Sequence, residues 1–177
     1  MPLRSVIRAI PDHPKPGILF YDLTPLFADA AALGECVTRM RDWARPLEVD
    51  LVLGAESRGF IAGGALAHAL GAGFVTARKA GRLPGETVRH DYDLEYGTDA
   101  LEVHTGAIRP GQRVLVHDDL LATGGTAEAA VRLAESQGGV VVGATFIVEL
   151  TFLPGRRRLG ALPIQSLVSY DTEAVTA

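Results

Sequence analysis

The amino-acid sequence predicts an α/β fold, with a mostly parallel central sheet flanked by helices. Three features of the chain lead there. Apolar runs of strand length recur at residues 50–54 (DLVLG), 73–77 (GFVTA), 114–116 (VLV) and 140–150 (VVVGATFIVEL). Alanine-rich segments with helical spacing follow two of them, at 60–70 and 127–137. The joints between strand and helix, at 56–59 and 118–126, are polar and carry glycine. Unbroken apolar strands are the kind buried on both faces, and strand–helix alternation builds a parallel sheet covered on both sides.

At 177 residues, with no internal repeat and no linker-like stretch, the chain is expected to form a single domain, 1–177. Apolar residues make up 47% of it, enough for a substantial core. The net charge of −4 argues against a general nucleic-acid binder. The single cysteine, Cys36, excludes an internal disulfide and fits a reducing compartment. It falls in a helical pattern, which favours a buried structural thiol over a nucleophile. The first residues lack the apolar core of a signal peptide, and no stretch approaches the roughly 18 apolar residues of a membrane helix. A soluble cytoplasmic protein is expected, with no membrane and no nucleic-acid partner.

Taken in order, residues 3–10 suggest one short amphipathic helix, with Leu3, Ile7 and Ile10 on one side. Pro11, Pro14 and Pro16 then impose an irregular path. Residues 17–22 (GILFYD) read as a loop or short edge strand. An exposed aromatic on such a loop can stack a flat ligand, but phenylalanine is more often buried, so Phe20 reads first as a core plug. Residues 29–45 read as a helix with Asp29 as N-cap, and Leu33, Val37, Met40 and Ala44 on its apolar stripe. Pro46 ends it. Glu56, Ser57, Arg58 and Gly59 form a polar turn after the 50–54 strand. Arg58 sits against the dipole of the following helix, so it reads equally as an anion ligand and as a surface residue.

The stretch from Arg78 to Gly85 reads as a mobile basic loop, able to close over a polyphosphate or simply solvated. Residues 92–104 (YDLEYGTDALEVH) read as two short strands with a turn at 97–99, forming with the basic loop an excursion out of the sheet. Glu95 within it is a candidate acid or base if the excursion folds over a site, and otherwise an exposed hairpin glutamate. Gly138 and Gly139 end the 127–137 helix. Glu149 points to a site or to solvent. Arg156, Arg157 and Arg158 read as a solvated run, and 162–168 as a last edge strand. The tail after Tyr170 is expected to fray.

Residues 112–126 (QRVLVHDDLLATGGT) carry the chemistry. A strand ends in Asp118 and Asp119, then Ala122, Thr123, Gly124, Gly125 and Thr126 lead into a helix. Glycines let backbone N–H groups approach a phosphate, the threonines add hydroxyl donors, and the helix start favours negative charge. The acids cannot face that phosphate. They suit sugar hydroxyls or a Mg²⁺ ion beside it, and together these point to a phosphorylated sugar.

The run VLVHDDLLATGGT resembles the fingerprint of type I phosphoribosyltransferases, which use 5-phosphoribosyl-1-pyrophosphate (PRPP). GILFYDLTPLF, ESRGF, ARKAGRLPGET, YDLEYGTDALEVH and LPGRRRLGALPIQSLVSY resemble, in order, the successive blocks of the adenine-specific branch. The resemblance covers nearly the whole chain. It implies the type I phosphoribosyltransferase fold with a small N-terminal hood that binds the base and a flexible catalytic loop-hairpin. It implies adenine and PRPP as substrates, AMP and pyrophosphate as products, Mg²⁺ as cofactor, and a homodimer. Asp118 and Asp119 match the pair that binds ribose hydroxyls, with the metal near them, and residues Ala122 to Thr126 match the 5′-phosphate cradle. Glu56, Ser57, Arg58 and Gly59 match the pyrophosphate loop, and Arg78 and Lys79 the basic pair beside it, the arginine reaching a neighbouring subunit's site. Leu19, Phe20 and Tyr21 match the adenine segment, and Glu95 the loop glutamate that acts on the purine.

In the enzymes for 6-oxopurines a third acid stands where this chain has Ala122, which favours adenine. Three positions depart from the family: His117 stands where an apolar residue is usual, Tyr21 where arginine is common, and Thr76 where proline is usual. His117 reads as a satisfied structural histidine or as the partner of a nearby acid, the former preferred. The competing functions are a phosphoribosyltransferase for another base, such as xanthine or guanine, and a non-catalytic PRPP sensor.

Overall fold

The computed structural model describes residues 2–94 and 97–172. A 3-10 turn at Leu3–Val6 leads into β1 (Arg8–Ile10), which pairs antiparallel with β2 (Phe20–Asp22) as a separate two-stranded sheet. The single helix expected over 3–10 is therefore not formed. Eight residues are too few to fix a period, and here a partner twelve residues away takes the segment as a strand. The Arg8 guanidinium closes that sheet on Asp22 at 2.7 Å.

Helices α1 (Thr24–Ala28) and α2 (Ala30–Ala44) follow. Asp29 caps α2 by accepting from the amides of Ala31 and Ala32 at 2.9 and 3.0 Å, worth about 1 kcal/mol. The buried stripe of α2 is Ala32, Cys36, Met40 and Ala44, with Leu33 and Val37 at its margin. Cys36 is fully buried, and burial pushes its thiol up to about 11, as suits a structural thiol.

The main sheet has seven strands. They are β3 (Leu51–Ala55), β4 (Gly73–Lys79), β5 (Thr87–Leu94), β6 (Gly97–His104), β7 (Arg113–Leu121), β8 (Val140–Leu150) and β9 (Ile164–Tyr170), in the order β5-β6-β4-β3-β7-β8-β9. The five strands from β4 to β9 are mutually parallel, and the β5–β6 hairpin is antiparallel. Helix α3 (Gly59–Leu70) packs with α2 on one face, over Val52, Leu115 and Ile147. Helix α4 (Gly125–Ser136) packs on the other, over Leu53, Val116 and Phe146. The short α5 (Gly155–Arg158) lies between β8 and β9 in the chain. No helix among the described residues is long and apolar enough to cross a membrane.

The hairpin differs from expectation. Its strands start earlier, at Thr87, and residues 97–99 belong to β6 instead of a turn. β6 also pairs with the end of β4, at Arg78↔Glu102 and Lys79↔Leu101, so the hairpin extends the sheet instead of leaving it. Arg78 and Lys79 are thus strand residues, and the turn lies beyond them. At the opposite edge the N-terminal turn covers β9. Arg4 donates to the Ser169 carbonyl, and its guanidinium sits 4.5 Å over the Tyr170 ring.

Candidate active site

The chain leaves β3 toward β4 on one side and returns to β7 on the other. Strand order therefore reverses between the carboxyl ends of β3 and β7, the place where an open parallel sheet leaves a crevice. The two strands are direct neighbours, with Gly54 opposite His117. The turn 56–58 hangs over the crevice from β3, and Asp118 and Asp119 rise into it from β7. A cavity of about 250 Å³ collects Glu56, Ser57, Arg58, Lys79, Asp118, Asp119 and Thr126, together with Tyr92, Asp99 and Leu101 of the hairpin.

The acids lie within β7 and not after it. Burial, and then the neighbouring Asp119 charge, hold the Asp118 carboxyl well above the usual carboxylate range. One Asp118 oxygen accepts the Asp119 amide at 2.8 Å. Asp119 is raised by burial and held back by Arg58, whose Nε lies 2.8 Å from its Oδ2. Arg58, the residue before α3, thus lines the crevice and is ion-paired there, with its side chain 37% exposed. Its guanidinium also sits 5.4 Å from the Phe20 ring centroid. Phe20 is half-buried and belongs to neither apolar core, so it is no core plug. Its neighbours on β2 and before it turn inward: Tyr21 is buried and stacked on Tyr170 at 3.9 Å, and Leu19 packs on the α2–α3 core. The Tyr21 side chain, at a position where the family commonly has arginine, is thus part of the core.

Beyond β7 a small cavity of about 70 Å³ is lined by Asp118 and residues 120–127. Gly124 takes φ +84° as the N-cap of α4, a conformation that a side chain would strain. The loop aims the α4 N-terminus into this cavity, as an anion site requires.

On the β4 side, Glu56 accepts from Arg78 through both oxygens at 3.3 Å and from the Lys79 amide at 2.8 Å. Burial alone would raise its carboxyl; the Arg78 and Lys79 bonds outweigh that and hold it low. Lys79 Nζ lies 3.2 Å from Asp99 Oδ2. The Tyr92 hydroxyl donates to Asp99 at 3.3 Å and accepts from Thr126 at 3.4 Å. Tyr92 and Asp99 were not legible as site residues. They face each other across the hairpin register, which local sequence does not announce. Glu95 falls outside the described residues.

Two expectations are corrected nearby. Glu149 faces neither the site nor solvent: it is buried on β8, held by Arg156 at 2.6 and 2.8 Å and by the Ser166 hydroxyl at 2.6 Å. The arginine run is accordingly not simply solvated, since Arg158 also pairs with Glu128 at 2.5 Å. His117 is fully buried, with Nδ1 3.0 Å from the Thr145 carbonyl and Nε2 without a partner. Burial lowers it to about 4, so it is neutral with its proton on Nδ1, a structural histidine with no acid partner.

For Mg²⁺, no group of three or more histidine, cysteine or acidic side chains among the described residues can cage a metal. Two adjacent carboxylates with raised proton affinity remain. That donor set fits an ion that brings phosphate and water ligands with it, as Mg²⁺ usually does.

A sheet crevice with a glycine–threonine phosphate loop behind an acidic pair defines a phosphoribosyl transferase domain, and the family model of that description matches residues 37–165. Within that class, the chain belongs to the adenine phosphoribosyltransferase family. It is 57% identical over 169 residues to the adenine phosphoribosyltransferase of Solibacter usitatus, covering 96% of this chain and 98% of that one. The crystal structure of the enzyme from Thermoanaerobacter pseudethanolicus superposes with a TM-score of 0.92 at 48% identity, covering 95% and 98% of the two chains. The Saccharomyces cerevisiae enzyme, solved with adenine and an iminoaltritol bisphosphate, gives 0.89 at 38% identity, covering 93% and 96%.

Proposed function

We propose that this chain, as one catalytic domain spanning 1–177, transfers the 5-phosphoribosyl group of PRPP to N9 of adenine, releasing AMP and pyrophosphate in purine salvage. The observation that carries the reading is the crevice itself: the acidic pair, Arg58, Lys79 and Thr126 at the end of the glycine–threonine loop line one cavity, and the Phe20 ring centroid lies 5.4 Å from the Arg58 guanidinium. The yeast relative, solved with adenine and a bisphosphate, supports the choice of base.

In this reading residues 122–126 hold the 5′-phosphate through backbone amides and the Thr123 and Thr126 hydroxyls. Asp118 and Asp119 accept the ribose hydroxyls and keep the sugar from turning. Positive charge develops on the ribose ring as pyrophosphate leaves, and the carboxylates stand beside it. Ser57, Arg58, Gly59, Arg78 and Lys79 receive the pyrophosphate, with Glu56 orienting Arg78. Leu19, Phe20 and Tyr21 form the base segment, Phe20 by its ring and the others by main chain. Glu95 takes the proton that N9 must lose. Mg²⁺, carried by PRPP near Asp118 and Asp119, supplies charge neutralisation of the leaving group. The enzyme works in the cytoplasm as a homodimer.

A panel of bases with PRPP and Mg²⁺ tests the reading. Adenine is expected to exceed guanine, hypoxanthine and xanthine in kcat/KM. Equal turnover of an oxopurine defeats the choice of base, and PRPP binding without pyrophosphate release for any base makes the chain a sensor.

A further inference from the structure

We infer that α5 is a backplate that sets the shape of the phosphate loop, and that Arg156 is the positioning residue that fixes it. The inference rests on the reading of residues 122–126 as the 5′-phosphate cradle.

The two segments meet backbone to backbone. A Cβ added to Gly124 would come within 2.9 Å of both the Cα and the carbonyl oxygen of Gly155. A Cβ added to Gly155 would strike the Ala122 carbonyl and come within 2.9 Å of the Leu121 side chain. No side chain fits between them, so the position of Gly155 is transmitted directly to Ala122 and Gly124. Gly124 is the N-cap of α4, and its setting decides where the amides of the following residues point.

Something must then hold Gly155, and α5 is too short to do so by its own hydrogen bonds. The next residue, Arg156, forks onto Glu149 with Nε at 2.8 Å and Nη2 at 2.6 Å. The Glu149 side chain is only 5% exposed and takes a further bond from Ser166. A bidentate guanidinium–carboxylate pair fixes direction as well as distance. Glu149 stands in register with Leu121, the last residue of β7 before the loop, so the clamp sits directly behind the cradle. A second tether runs from Arg158 to Glu128 in the first turn of α4. The loop is thus bracketed from β8 and from its own helix, though neither arginine is placed against substrate.

Three variants test this: Gly155→Ala, Arg156→Gln and Arg156→Lys. Ribose 5-phosphate binding, by calorimetry, reports the cradle alone; pyrophosphate binding reports the other half of the crevice. Gly155→Ala and Arg156→Gln are expected to weaken ribose 5-phosphate binding and raise the PRPP KM by about tenfold or more, the scale of a displaced contact. Arg156→Lys, which keeps charge but loses the fork, is expected to fall between them and wild type. Pyrophosphate affinity and the adenine KM are expected to stay within about twofold. Parallel weakening of pyrophosphate, or a lowered Tm with unchanged ribose 5-phosphate binding, overturns the inference and leaves a purely structural clamp. If Arg156→Gln does not fold, Gly155→Ala and Arg156→Lys decide by the same ratio. Absence of adenine turnover in the wild type would sink the functional reading, while ribose 5-phosphate binding would still judge the backplate.

Discussion

On the β7 side of the crevice, Asp118 and Asp119 stand in a parallel sheet covered by helices on both faces. On the β4 side, Lys79 and Asp99 stand where an antiparallel hairpin is joined to that sheet by two register pairs. The ion pairs differ accordingly. The Asp119 and Arg58 side chains are 5% and 37% exposed where they meet, whereas Asp99 and Lys79 are 24% and 58% exposed. Charges withdrawn from water hold a fixed geometry and pay for it in perturbed proton affinity. Solvated charges exchange partners at little cost. In the proposed reading the sugar, which must stay still, falls to Asp118 and Asp119 of the first kind, and the departing pyrophosphate meets both kinds, through Arg58 and Lys79.

The largest test of that contrast is Asp118→Asn with Asp119→Asn. Turnover is expected to fall at least ~10³-fold, since the charge opposite the developing cation is lost. Asp118→Asn alone is expected to raise unfolding stability by about 1 kcal/mol in denaturant, because a crowded carboxylate is removed. A variant with substantial turnover breaks the assignment of the sugar to this side. Next in size is Glu95→Ala. Turnover is expected to drop ~10²-fold or more while calorimetric PRPP affinity changes little; an unchanged rate removes Glu95 from the chemistry.

His117 gives a third test, through pH. Its folded value, about 4, lies below its ordinary 6.5, so the unfolded chain takes up the proton first. The stability it contributes is complete above pH 6.5 and is lost as pH falls toward 4, by up to about 3 kcal/mol. Asp118 and Asp119, raised in the fold, titrate in the opposite sense over their own range. His117→Gln is expected to flatten the denaturation profile between pH 6.5 and 4; an unaltered slope means that another group sets it. The smallest effect belongs to Asp99→Asn. With its partner so exposed, a loss of about 0.5 kcal/mol is expected, and a loss above 2 would show the hairpin seam to be as rigid as the sheet.

The same contrast governed what the sequence revealed. The 50–54 and 140–150 strands announced themselves because burial on both faces leaves an unbroken apolar run. Asp29 was legible as a cap, and the run 118–126 by its spacing, since both act on neighbours in the chain. What stayed hidden depends on distant partners. β1 exists because β2 pairs with it. Arg156 looks like one of three surface cations until Glu149 is brought beneath it. Phe20 looks like core until Arg58 arrives from the turn after β3, and Tyr92 and Asp99 become site residues only through a register that no local pattern encodes.

The Arg4 contact on β9 bears on a different property, the solubility of the folded chain. An open sheet ends in two rows of backbone groups able to recruit another strand. At one end β5 carries Arg89, His90 and Asp91, with Arg89 and Asp91 paired along the strand at 2.6 Å, a charged border that discourages a newcomer. At the other end β9 reads IQSLVSY, with no charge of its own. There the N-terminal turn and its arginine occupy the Ser169 carbonyl, so the first few residues cover part of an edge that carries no charge to protect it.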